Sequence, residues 1–198
     1  DEFIKSSPTE LTDFLSRDLG TSFLKYLFNL REHGPGLTAN LSAHGKQNSF
    51  LTSDIVKRRI RRYVDSEDPV FCYVHYDDPH HPYVPPLSYV EEYTNKLDAT
   101  AEEAIKFSIR MHENMYEWMA DGLPLSQTDW EKLYAMYDSC IKYTDVCVGD
   151  LFNFITDLFN NVIEVITADH GDLFGEYGLL WHHIVLHDGL INVPLVTY

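Results

Sequence analysis

Paired cysteines are missing from this chain. Its three cysteines, Cys72, Cys140 and Cys147, are an odd number set in apolar stretches, and none belongs to a C-x-x-C pair. A disulfide framework and a thiolate metal site are therefore excluded, and reduced core residues are the expectation. No uninterrupted apolar run approaches the length that spans a bilayer. Positive charge is scarce: 15 Lys and Arg stand against 31 Asp and Glu, a formal net charge of -16. A field of that sign opposes nucleic-acid binding, which needs clustered cations against phosphates. It fits an ordinary acidic protein, and equally a halophile, whose salt-rich cytoplasm favours a hydrated acidic surface. No repeat or low-complexity tract is visible, so nothing points to a solenoid or to disorder. No signal peptide is visible at Asp1, and a cytoplasmic location is the working expectation.

What is present is enough apolar material, 44% of 198 residues, for one sizeable core. The first fifty residues have the weakest pattern. Leu11 to Leu30 has mixed helical spacing broken at Gly20, and His33-Gly34-Pro35-Gly36 is a turn followed by a polar loop to Asn48. Ser53 is expected to cap a helix to about Val64, with Lys57, Arg58, Arg59, Arg61 and Arg62 on its solvated face. Val70 to Tyr76 (VFCYVHY) reads as a buried strand. The prolines of Asp77-Asp78-Pro79-His80-His81-Pro82-Tyr83-Val84-Pro85-Pro86 stop that strand and stiffen the loop after it.

Ala99 to Ala120 predicts one amphipathic helix. Thr128 with Glu131 predicts a capping box for a longer one, whose apolar stripe runs through Leu133, Tyr137, Cys140, Ile141, Val148 and Ile155. Gly149 within it implies a close packing contact. Asn160-Asn161 is a turn, and a strand at 162–168 follows. A long helix feeding a buried strand is a crossover unit of a parallel sheet, and ligands gather beyond the carboxyl ends of such strands. Both 77–83 and 169–171 sit at such ends.

The strand around Val165 stops at Asp169-His170-Gly171, a carboxylate, an imidazole and a glycine. Asp169 alone could cap a turn and His170 alone could pack. Adjacent at a strand end, they are the best candidates for binding a metal ion. His80 and His81 come from the other strand end, and His182 and His183 follow a second glycine turn.

The run T-A-D-H-G-D-L-F-G-E-Y-G-L-L-W-H-H, followed by Asp188 and Val193-Pro194-Leu195-Val196, resembles the C-terminal half of the sulfatase core, in the alkaline phosphatase-like superfamily. The family's pattern there is an apolar strand, D-[HN]-G, G-E-H-G-L, a Lys or His, and a V-P-L strand. Pro79-His80-His81-Pro82-Tyr83 resembles its P-H-x-P-Y loop, and Leu133 to Gly149 resembles the helix before its metal strand. The likeness runs through residues 52–198 in order, making the whole chain, 1–198, a partial sulfatase-like domain. It implies an α/β fold, with a mixed, largely parallel sheet flanked by helices. It also implies hydrolysis of small-molecule or carbohydrate sulfate esters through a covalent enzyme–sulfate intermediate. Asp169 and His170 would hold a divalent cation, commonly calcium in the family. His80 would contact the sulfate, and His182 would contact it or protonate the leaving oxygen. His81 and His183 would be neighbouring substrate-binding residues.

The chain departs from the pattern in places. The family's nucleophile is a formylglycine made from the cysteine of C-x-[PA]-x-R, and neither version occurs here; Ser6-Ser7-Pro8-Thr9-Glu10 lacks the arginine. The formylglycine is thus expected in a preceding N-terminal part, with the chain as given inactive. Tyr177 stands where His is common, and Asn192 where Arg often precedes V-P-L. Two alternatives share the scaffold: a phosphodiesterase or phosphoethanolamine transferase of the same superfamily, and a non-catalytic scaffold protein.

Overall fold

The computed structural model describes residues 48–182 and 185–198. The readings of Leu11–Leu30 and of the turn at 33–36 lie outside them, as does His183.

Helix α1, Ser49–Ile60, starts earlier than its sequence suggests. Asn48, not Ser53, is the cap: its side chain accepts from the Phe50 and Leu51 N–H groups. Ser53 is instead buried within the helix and donates to the Cys147 carbonyl at 3.1 Å. A 3-10 turn, Arg61–Tyr63, closes the helix. Part of its basic face is neutralised, Arg58 by Asp54 at 3.0 Å and Lys57 by Asp150.

Val70 to Tyr76 forms no strand, having no ladder partner among the described residues. Nor is it buried. Phe71 is 91% and Tyr73 77% exposed, and Cys72 is exposed where a core position was expected. β-propensity describes fit to a neighbouring strand, and without a neighbour it cannot bury the run.

Helix α2 is Leu87–Thr94. The single helix expected over 99–120 is two, α3 at Ala101–Glu113 and α4 at Met115–Ala120. They part at Asn114, whose φ of -119° and ψ of 25° leave the helical region. A capping box of Thr100 and Glu103 starts α3. Helix α5, Gln127–Leu158, is 32 residues long and is the frame of the molecule. Its capping box is Ser126 with Asp129, two residues before the expected pair. Leu133, Met136, Cys140, Tyr143, Cys147 and Leu151 form its buried stripe and pack on α1, α2 and α3. Gly149 makes no close contact, because a Cβ there would meet nothing within 4 Å.

Strand β1, Val165–Thr167, pairs antiparallel with β4, Leu195–Thr197, in the register Val165–Thr197. Between them lie a hairpin of β2, Leu173–Phe174, and β3, Leu180–Trp181, and the short helix α6, Asp188–Ile191. Both ladders among the described residues are antiparallel, so the expected parallel sheet and the α5-to-β1 crossover are not seen. β1 was also expected to be buried, yet all its residues are exposed. The hairpin is what enters the core: Leu180 and Trp181 are fully buried against Tyr83, Met111 and Met136. Gly175, at φ 104°, turns it with its α-carbon against the Trp130 ring of α5.

Candidate functional site

Loop 77–83 is tied down at both ends. The buried carboxylate of Asp78 accepts from the Ser49 hydroxyl at 2.6 Å and from its N–H at 3.3 Å, at the start of α1. At the other end the Tyr83 N–H donates to the Ser108 hydroxyl of α3 at 3.0 Å. Pro79 and Pro82 both follow cis peptide bonds. The loop thereby presents His80 and His81 to the hairpin.

Five imidazoles meet there. The rings of His170 and His182 are 3.8 Å apart, those of His80 and His182 4.7 Å, and those of His80 and His170 6.4 Å. His81 is 6% exposed, stacks on Trp181 at 4.2 Å and exchanges an Nδ1–Nδ1 hydrogen bond of 2.7 Å with His112 of α3. Trp181 holds this place with a left-handed φ of 57°, an unusual conformation for a bulky residue.

The tautomers follow from acceptor-only partners. His80 Nδ1 donates to the His81 carbonyl at 2.6 Å, and His182 Nδ1 donates to Asp172 Oδ1 at 2.9 Å. The other Asp172 oxygen accepts from the Tyr83 hydroxyl at 2.8 Å. Burial first, and then the negative charge of Asp172, push the Tyr83 hydroxyl well above its ordinary pKa, so it stays a donor. With both Nδ1 atoms protonated, the Nε2 atoms of His80 and His182 face each other at 3.2 Å. Two lone pairs repel at that distance. A proton, or another electropositive group between them, removes the repulsion.

Asp169 and His170 leave the end of β1 on the rim of this cluster. Asp169 Oδ1 lies 3.8 Å from His170 Nε2, and its side chain is 71% exposed. His170 Nδ1 donates to the Gly171 carbonyl at 2.9 Å, which turns Nε2 to the Asp169 side. One anionic oxygen and one imidazole nitrogen on the same side make a fitting corner for a divalent cation. They are only a corner, since calcium takes about six to eight ligands.

The structure thus brings His80, His81, His170 and His182 together, with Asp169 at their edge. Three participants went unassigned in the sequence. Tyr83 belonged to the P-H-x-P-Y loop without a role, and Asp172 was a second acid three residues after Asp169. His112 left a fainter signal. With Ser108 it is a polar residue on or beside the face of α3 that buries Ala104, Phe107 and Met111. The thiols take no part: burial pushes Cys147 up to about 12, and it lies along α5.

The family model for sulfatases matches residues 11–198, and the chain belongs to the sulfatase family. That match begins well before residue 52, where the recognisable motifs begin. Membership implies the alkaline phosphatase-like α/β fold and a family chemistry that generally uses a divalent metal and formylglycine. The chain is 24% identical over 188 residues to the uncharacterized sulfatase YidJ of Escherichia coli K12. That match covers 89% of this chain and 37% of the relative, so the chain spans little more than a third of the relative's length. No solved structure matches. No described helix is long and apolar enough to cross a membrane.

Proposed function

We propose that the protein containing this chain hydrolyses small-molecule or carbohydrate sulfate esters at a divalent cation, with calcium the cation favoured by the family. The observation that carries the reading is the facing Nε2 pair of His80 and His182, backed by Asp172 and Tyr83. A proton shared between these two imidazoles makes the pair cationic, and an anionic sulfate oxygen beside it is the complementary ligand. Asp172 fixes the His182 ring so that only Nε2 faces the ester. That nitrogen holds the proton for the departing alcohol oxygen, while His80 binds and orients the sulfate. Asp169 and His170 would hold the cation, which when bound neutralises sulfate oxygens and makes a coordinated nucleophile more acidic. His81 is walled in by Trp181 and His112, which suits a residue that shapes the subsite from beneath. His183, outside the described residues, keeps the substrate-binding role that the resemblance implies.

The test is turnover of an aryl sulfate by the purified full-length protein that contains this chain, with and without a chelator. His182→Asn is expected to lower kcat about 10²- to 10⁴-fold, the usual contribution of a positioned acid. Asp172→Asn is expected to lower it about 10- to 100-fold, as for an outer partner that orients an imidazole. A marked preference for phosphate diesters over sulfates would move the reading to the phosphoryl branch of the superfamily. Full activity in both variants would remove the site assignment.

A further inference from the structure

We propose that His80, His81 and His182 form an all-imidazole site for a borderline transition-metal cation of the zinc type, adjacent to the Asp169–His170 corner but with different ligands. Each of the three offers a ring nitrogen, and the three nitrogens lie within 4.8 Å of one another.

Distance decides which cation suits the site. Zinc binds imidazole nitrogen at about 2.0–2.1 Å in tetrahedral geometry, which sets neighbouring ligand atoms about 3.3 Å apart. His80 and His182 already hold their Nε2 atoms at 3.2 Å. Calcium prefers six to eight oxygens at about 2.3–2.6 Å. A neutral nitrogen triad offers it neither the donor type nor the number. Imidazole suits zinc, copper and nickel, so the donor set discriminates in the same direction as the spacing.

The surroundings resemble those of a built metal site. Metal-bound histidines usually engage their other ring nitrogen with a carboxylate, a carbonyl or another polar group, which fixes the tautomer and aims the ligand. Here the Nδ1 of His80 meets the His81 carbonyl, that of His182 meets Asp172, and that of His81 meets His112. The stack on Trp181 holds the His81 ring. A cation between the Nε2 atoms also removes their lone-pair repulsion, and the chain's charge of -16 raises the local concentration of cations. Zinc seated there takes the space of the sulfate oxygen and so acts as a competitive inhibitor. That consequence rests on the sulfatase reading, whereas the binding does not.

The experiment is a titration of the purified protein with Co²⁺ under excess calcium, followed by displacement with Zn²⁺. The expected result is one Co²⁺ per chain with the intense visible absorption of a tetrahedral ion, lost as Zn²⁺ is added. His81→Asn and His182→Asn are each expected to weaken binding at least 100-fold, and His112→Asn about 10- to 100-fold. Asp169→Ala is expected to leave it within twofold. Circular dichroism and melting curves select the variants that keep their fold, and the two ligand substitutions stand in for each other. Only the weak absorption of a six-coordinate ion, unchanged affinity in the folded ligand variants, or loss of binding in Asp169→Ala would each overturn the site. In the activity arm, Zn²⁺ is expected to raise the apparent KM for an aryl sulfate at constant calcium. Zinc bound at the triad without such competition would overturn the inhibitory role. Absence of turnover by the full-length protein without zinc would count against the sulfatase reading and leave the binding result standing.

Discussion

A methyl group on Gly171 would lie 2.1 Å from the carbonyl oxygen of Gly189, far inside contact distance. The glycine after Asp169 and His170 is therefore required by packing. Its N–H donates to the Leu190 carbonyl at 2.9 Å, docking the turn on α6. Gly171→Ala is expected to destabilise the fold by about 1–3 kcal/mol, as overpacking does, and to lower Tm in a calorimetric scan. An unchanged Tm would show that the turn has room to move. At this scale the sequence was informative where chemistry is local. Asp169 and His170 stand out because they are adjacent at a strand end, and His80 and His182 because they belong to doublets. Tyr83, Asp172 and His112 did not stand out, because hydrogen-bond partners 10 to 89 positions apart are chosen by the folded chain.

At the scale of elements, helices were legible and strands were not. The stripe of α5 repeats over many turns and marks a helix regardless of its neighbours. Its exact start was less legible, since Ser126 with Asp129 and Thr128 with Glu131 both have the spacing of a capping box. Val70–Tyr76 failed for another reason: a strand exists only through its partners. The approach to β1 carries a titratable group of its own. Glu164 is buried, its Oε1 atom has no hydrogen-bond partner among the described residues, and burial raises its pKa above the ordinary 4.5. The folded state thus holds this proton more tightly than the unfolded state does. Both states are protonated well below 4.5, so no penalty exists there. The penalty grows as pH rises through the folded value and is complete above it. Glu164→Gln is expected to raise Tm at neutral pH, with the gain fading as pH falls below about 4.5. Melting curves across that range check it, and a gain that persists in acid would assign the effect to packing instead.

At the scale of the whole molecule, large apolar side chains among the described residues are left open to water. Val165 is 56% exposed, Leu195 71% and Val196 53%, and Phe71 and Tyr73 are exposed too. A short ladder with apolar residues open to water is a docking and aggregation surface. The chain taken alone is expected to bind a hydrophobic dye and to self-associate in sedimentation velocity. Salt should strengthen the association by screening the charge of -16. Leu195→Lys should weaken both signals, and a monomer that ignores the dye at high salt would contradict the reading.

The β2–β3 hairpin lies on α5 like a keel on its beam. Phe174 packs against Tyr134 and Tyr137, Gly175 against Trp130, and Leu180 and Trp181 join the core. Asp172 and His182 flank this one hairpin, so a tilt of the long helix carries acid and imidazole along as a pair. Drift in the helices can then re-aim the imidazole while the carboxylate that fixes its tautomer moves with it.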